Sequence, residues 1–219
     1  MTNKNKKKKL ERGKLEHDGP AGKTVGKTVG KTVGKTVEIR RQYEAHGVTG
    51  FYEQFGANYS NPHEPQIRVL LERLITDWRL DLSNVLDLAC GSGEVSSVIL
   101  GHGGTVTGID PFTFEAYRAR TGLAAERFSF ENIANGALEG RRFGVTVCSF
   151  ALHLVEASRL PTVAYRLAQV SDSLLILSPH KRPVLKREWG WILEAQTLEA
   201  RVRARLYRTC DPARLYPKA

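Results

Sequence analysis

From Asn61 the chain reads NPHEPQIRVLLERLITDWRL, with Ile67, Leu70, Leu71, Leu74, Ile75 and Trp78 at i, i+3, i+4, i+7, i+8 and i+11. That period places one apolar stripe along a helix, and Pro65 suits its first turn. From residue 85 short apolar runs alternate with helical segments. NVLDLAC predicts a strand, GEVSSVILG a helix stopped by Gly101, Gly103 and Gly104, and TVTGID a second strand. FEAYRAR predicts a helix, RFSFEN a third strand and GVTVCSF a fourth. SRLPTVAYRLAQVSD predicts another helix, SLLILSP a fifth strand, and WGWILEAQTLEA a last helix before the alternating RVRARLYR. Strand and helix units of this size predict an α/β fold, a Rossmann-like, doubly wound, mostly parallel sheet with helices on both faces.

Charge divides the 219 residues differently. Residues 1–42 carry thirteen Lys/Arg against four acids, whereas residues 43–180 carry ten Arg, no Lys and fifteen acids. The basic part contains the run NKNKKKK and four copies of Gly-Lys-Thr in GKTVGKTVGKTVGKTV. A phosphate loop needs a glycine five positions before the one in Gly-Lys-Thr, and Ala21, Val25 and Val29 stand there instead. No strand leads into the repeat. Residues 1–42 are therefore expected to form a disordered, low-complexity basic arm, and residues 43–219 the folded domain. Such an arm suits weak nucleic-acid contact by charge, or is a solvated leader.

The Lys run has no apolar segment after it, which excludes the start of a secretory signal, and no stretch approaches the ~20 apolar residues that span a bilayer. Cys90, Cys148 and Cys210 have neither paired nor metal-like spacing. Reduced thiols, no metal and an intracellular location, cytoplasmic or nuclear, are expected.

In a sheet of this kind ligands bind at the carboxyl ends of the strands. The first strand runs into VLDLACGSGEVS, where Gly91 and Gly93 let the backbone turn sharply and the next helix offers its N-terminus. Ser96 stands where a dinucleotide fingerprint has a third Gly or Ala. Asp87 lies four residues before Gly91, and the second strand ends in Asp110, seventeen residues after Gly93. A carboxylate there accepts the two hydroxyls of a ribose.

With these motifs the sequence resembles the class I S-adenosylmethionine-dependent methyltransferases. Their first motif stands as VLDLACGSG, the acidic end of their second strand as GIDPF, their third-strand motif as Asn132-Ile133 and their fourth-strand segment as FGVTVCSFALHLVE. The resemblance implies S-adenosylmethionine as cofactor and methyl transfer to an unidentified acceptor. It implies that the backbone of Ala89, Cys90, Gly91, Ser92 and Gly93 passes under the methionine part, with Asp87 orienting the loop. Asp110, followed by Pro111, would hold the ribose. Asn132 and Ile133 would flank the adenine, and Cys148, Ser149 and Phe150 would line the cleft near the sulfonium.

Because methyl transfer is an in-line displacement, catalysis rests chiefly on positioning, and a base is needed only when the acceptor loses a proton. His153, just after the fourth strand, is the best-placed base or else a cleft-wall histidine. Tyr52, Tyr59, Asn61 and His63 precede or begin the first helix, in a segment that often lids the donor site in this family; for Asn61 the other reading is helix capping. The run His180-Lys181-Arg182-Pro183 sits on the ligand side, as an anion site or a solvated loop. Asn132 stands where the family has an acid, and Gly144 where it has Asp. The family closes with a β-hairpin, and the short remainder after RVRARLYR predicts a seventh strand that is absent or very short. A non-catalytic binding or scaffold protein of the same fold is the alternative function. Ser96 and the spacing of Asp87 from Gly91 argue against a nicotinamide-dependent oxidoreductase.

Overall fold

The computed structural model describes Gly50 and residues 61–210. The basic arm, Tyr52, Tyr59 and the last nine residues lie outside the described residues. Helix α1 spans Glu64–Asp77, with Pro65 and an acid in its first turn, and buries Ile67, Leu70, Leu71 and Leu74. Strand β1 (Val85–Leu88) leads to helix α2 (Glu94–Gly101), and β2 (Val106–Ile109) to helix α3 (Phe114–Thr121). A short α4 (Phe130–Ala134), β3 (Phe143–Ser149), α5 (Leu160–Val170) and β4 (Ser171–Ser178) follow. The described chain closes with β5 (Trp191–Glu199) and β6 (Val202–Thr209).

The strands form one sheet in the order β2-β1-β3-β4-β6-β5. The first four are parallel, and β6 runs antiparallel to both β4 and β5. Both faces are covered. Val85, Val145, Val147, Leu175 and Leu177 pack with α1 and α2 on one side. Leu86, Leu88, Cys148, Leu174 and Ile176 pack with α4 and α5 on the other. Burial on both faces explains the unbroken apolar runs of VLDL and LLIL. The chain steps outward from β1 to β2, then returns to β3 on the other side of β1. The resulting switch in strand order opens a cleft at the carboxyl ends of β1 and β3.

Three sequence expectations are corrected. RFSFEN is not a strand: Glu126 alone bridges Ile109, and Ser129 and Asn132 form a capping box that starts α4. The alternation of Phe128 and Phe130 has the strand period of two, and the Ser129 cap overrides it locally with a helix that starts at Phe130. WGWILEAQTLEA is not a helix but β5, despite its good helix formers. Its partner is the alternating β6, reached through Ala200 and Arg201, both left-handed, in a tight hairpin. Trp191 is fully buried, and its indole N–H donates to the Ala164 carbonyl at 2.8 Å. Pairing and burial override propensity here. The closing hairpin is thus present, contrary to the expectation of an absent or very short final strand. A bulge between Leu193 and Ala195 interrupts β5.

Gly108 in β2 allows a close approach. A Cβ there would lie 2.4 Å from the Tyr117 ring, whose hydroxyl is 3.0 Å from Ser96 Oγ. Gly108→Ala is expected to cost about 2 kcal/mol by overpacking, read as a lower urea midpoint at unchanged slope. An unchanged midpoint would show that Tyr117 has room to move.

Candidate functional site

The loop after β1 is held by hydrogen bonds to its neighbours. Cys90 N–H donates to the Ile109 carbonyl at 3.0 Å, and Thr113 Oγ1 donates to the Gly91 carbonyl at 2.7 Å. Gly91 and Gly93 take positive φ, which glycine adopts without strain. Ala89 and Phe150, at the ends of β1 and β3, are also left-handed, with φ of 56° each. Two side-chain-bearing residues in that conformation flank the cleft, and strain of this kind collects at functional sites.

The cleft has a volume of about 470 Å³. Of the residues expected to bind the cofactor, it brings together Asp87, Ala89, Cys90, Gly91, Asp110, Pro111, Ile133, Ser149 and Phe150. Ser92, Gly93, Asn132 and Cys148 do not line it. Ser92 Oγ donates to Glu94 Oε1 at 2.7 Å, and Gly93 caps α2. Asn132 is exposed, with its side-chain oxygen accepting from Ser129 N–H and Oγ. Cys148 lies fully in the core, where burial pushes its thiol up to about 12.

Three carboxylates line the cleft while almost wholly buried: Asp87 at 1% exposure, Glu94 at 7% and Asp110 at 8%. None forms a salt bridge among the described residues. Asp87 Oδ2 accepts from Ser96 N–H at 3.0 Å and Ser96 Oγ at 2.7 Å. Its pKa is nevertheless raised to about 7, by burial first and then by the charges of Glu94 and Asp110 against the lowering effect of those bonds. Asp110 Oδ1 accepts from the N–H groups of Phe112 at 2.9 Å and Thr113 at 3.0 Å. Asp110 Oδ2 carries one longer bond, from Gly91 N–H at 3.2 Å, which leaves that oxygen with acceptor capacity. Glu94 Oε1 also accepts from Asn61 N–H at 3.2 Å, fixing the approach to α1 at the cleft wall.

Asn61 lines the cleft, and the His63 ring stacks on Phe150 with centroids 5.1 Å apart. Burial lowers the His63 pKa. His153 sits in a short turn, Leu152–Leu154, whose last residue lines the cleft, but His153 itself faces the His180 ring at 4.4 Å. Burial, and next the charge of His180, lower its pKa to about 4. Its Nδ1 and the Ser149 Oγ are buried without a hydrogen-bond partner among the described residues.

Sequence reasoning missed several cleft residues. Phe128 and Phe130 were hidden by the strand reading of RFSFEN. Glu94 was readable as an acid in the first turn after Gly93. Glu131 and Arg159 meet at the rim through an exposed ion pair of 2.7 Å, which joins α4 to α5 and has no local sequence signal. Among the described residues no group of His, Cys, Asp and Glu could hold a metal, and no helix is long and apolar enough to cross a membrane.

A family profile described as a methyltransferase domain matches residues 85–172. An uncharacterized protein of Schizosaccharomyces pombe is 34% identical over 194 residues, which is 69% of this chain and 78% of that protein. Among solved structures, the N-methyltransferase NodS from Bradyrhizobium japonicum, in complex with S-adenosylhomocysteine, aligns with a TM-score of 0.58 at 14% identity, covering 78% of this chain and 99% of that one. Magnesium protoporphyrin IX methyltransferase from Synechocystis, with bound S-adenosylmethionine, aligns at 0.53 and 17% identity, covering 79% and 96%. At such identities the likeness is one of fold. The chain belongs to the class I S-adenosylmethionine-dependent methyltransferase family.

Proposed function

We propose that the chain binds S-adenosylmethionine in this cleft and transfers its methyl group to an acceptor. The observation that carries the reading is the set of three buried carboxylates with no cationic partner among the described residues, because the donor bears an ammonium and a sulfonium and buried negative charge calls for such a partner. Oδ2 of Asp110 is placed to accept from ribose hydroxyls, and the buried Ser149 Oγ has a hydrogen bond still to make. Phe128, Phe130 and Phe150 supply apolar walls for a flat base. When bound, the donor supplies an electrophilic methyl group. The chain's part is to orient it through the β1 loop and Asp110, and to keep water away with the apolar wall. His153 is neutral at neutral pH, and its low pKa makes it a weak proton acceptor. We propose residues 43–219 as the unit that carries this activity, with residues 1–42 as a basic arm.

Isothermal titration with S-adenosylmethionine and with S-adenosylhomocysteine, on the full chain and on one lacking residues 1–42, tests the reading. Micromolar binding to both chains is expected, and no binding by either chain would overturn the donor site. Ser149→Ala is expected to leave the melting temperature unchanged or higher, since it removes an unsatisfied buried hydroxyl, while weakening donor binding by about fivefold. Equal affinity would place the donor away from Ser149.

A further inference from the structure

The chain leaves β4 through Pro179 and His180, and the loop that follows is anchored from beneath. The buried Arg205 guanidinium donates to the Lys181 carbonyl at 2.7 Å and to the Pro183 carbonyl at 3.0 Å. Leu185 N–H donates to the Tyr207 hydroxyl at 3.3 Å. His180, Lys181 and Arg182 are exposed on this anchored loop. Arg203 pairs with Ser178 in register, on the same side of β6 as Arg205, so it lies beside the loop's start. Burial and then the Arg203 charge lower the Arg205 pKa, consistent with that closeness. Lys181, Arg182 and Arg203 make no ion pair among the described residues. Like charges gathered on a fixed loop repel one another unless an anion joins them.

The loop does not itself line the cleft but packs against residues next to its wall. The His180 ring lies 4.4 Å from His153, whose neighbour Leu154 lines the cleft, and Phe150 N–H donates to the Leu177 carbonyl at 2.8 Å. The cleft lining also carries two exposed acids, Glu131 and Glu156. An extended polyanion would meet those acids, whereas a compact anion meets only the basic side.

We propose that Lys181, Arg182 and Arg203, with His180, hold the phosphate group of a small phosphorylated methyl acceptor. This rests on the reading of the cleft as the methyl-donor site. Arginine forks match phosphate oxygens in pairs, and several cations match a dianion. The acceptor then spans from the basic loop to the cleft, with its phosphate away from the methylated atom.

The test titrates inorganic pyrophosphate, and separately a ten-nucleotide oligouridylate, into the full chain with and without S-adenosylhomocysteine. It is repeated on K181Q/R182Q, whose two side chains are exposed, and on R203Q. Pyrophosphate binding that falls at least tenfold in K181Q/R182Q, with S-adenosylhomocysteine affinity unchanged, is the expected result. Absent pyrophosphate binding, or equal affinity in wild type and both variants, overturns the proposal. Oligouridylate that binds more tightly than pyrophosphate and survives both variants overturns it too, by locating phosphate recognition elsewhere. Loss of pyrophosphate binding in the variants of a chain that never binds S-adenosylhomocysteine would retain the anion site and fault the donor reading alone.

Discussion

Asp110→Ala is expected to weaken S-adenosylmethionine binding by more than about 100-fold, since hydrogen bonds to a charged group contribute about 1.5–3 kcal/mol each and a ribose offers two hydroxyls. The carboxylate also organises the protein. Oδ1 accepts from Phe112 and Thr113, and Oδ2 from Gly91, so alanine loosens the turn as well as the ligand contact. Asp110→Asn separates the two effects. Its amide oxygen can keep the bonds from Phe112 and Thr113, while its NH₂ replaces the accepting oxygen that faces Gly91. Comparable loss of affinity in both variants, with a smaller fall in melting temperature for asparagine, is the expected pattern in titration and thermal unfolding. Full affinity in Asp110→Asn would remove the carboxylate from the donor site.

Donor affinity is expected to rise with pH by close to tenfold per unit up to about pH 7 and then to level off, as one linked proton requires. The group responsible is Asp87, which holds its proton below about 7 in the free protein. A cationic donor favours the ionised form, so binding expels that proton. Titration at pH 6 in two buffers of different ionisation heat should register release approaching one proton, and no release would detach Asp87 from the donor. The stability effect has the opposite sense. A carboxyl whose folded pKa lies above its ordinary value favours folding at low pH, and that contribution is lost as pH rises from about 4 to about 7. Asp87→Asn should therefore raise the melting temperature at pH 8 while weakening donor binding.

The parts of the fold readable in sequence are those where local pattern and burial agree. VLDL is apolar around Asp87 because both its faces are covered, and the stripe from Ile67 to Leu74 is the face α1 turns to the sheet. The β1 loop and Asp110 were readable because a tight turn after a strand needs glycine and an acid ends the next strand. The segment around Phe128 was not readable, because its outcome depends on a four-residue cap. The segment from Trp191 was not readable either, because its partner lies beyond a turn and Trp191 is satisfied by a carbonyl on α5. The union of Asp87, Glu94 and Asp110 in one desolvated cleft depends on the switch in strand order. Each acid has its own place in the sequence; their shared charge does not.

The hairpin that completes the sheet also has to stop it. Strand β5 is the outer edge among the described strands, nine residues long, with Ile192, Leu193 and Leu198 exposed. Such a ribbon is a template for another chain. The bulge at Leu193/Ala195 breaks its regular spacing, and Glu194, paired with Arg208 at 2.8 Å, and Glu199 place charge along it. Irregularity and charge thus act as a guard against aggregation, and a substitution that straightened or neutralised β5 would leave the cleft between β1 and β3 intact while making the protein self-associate.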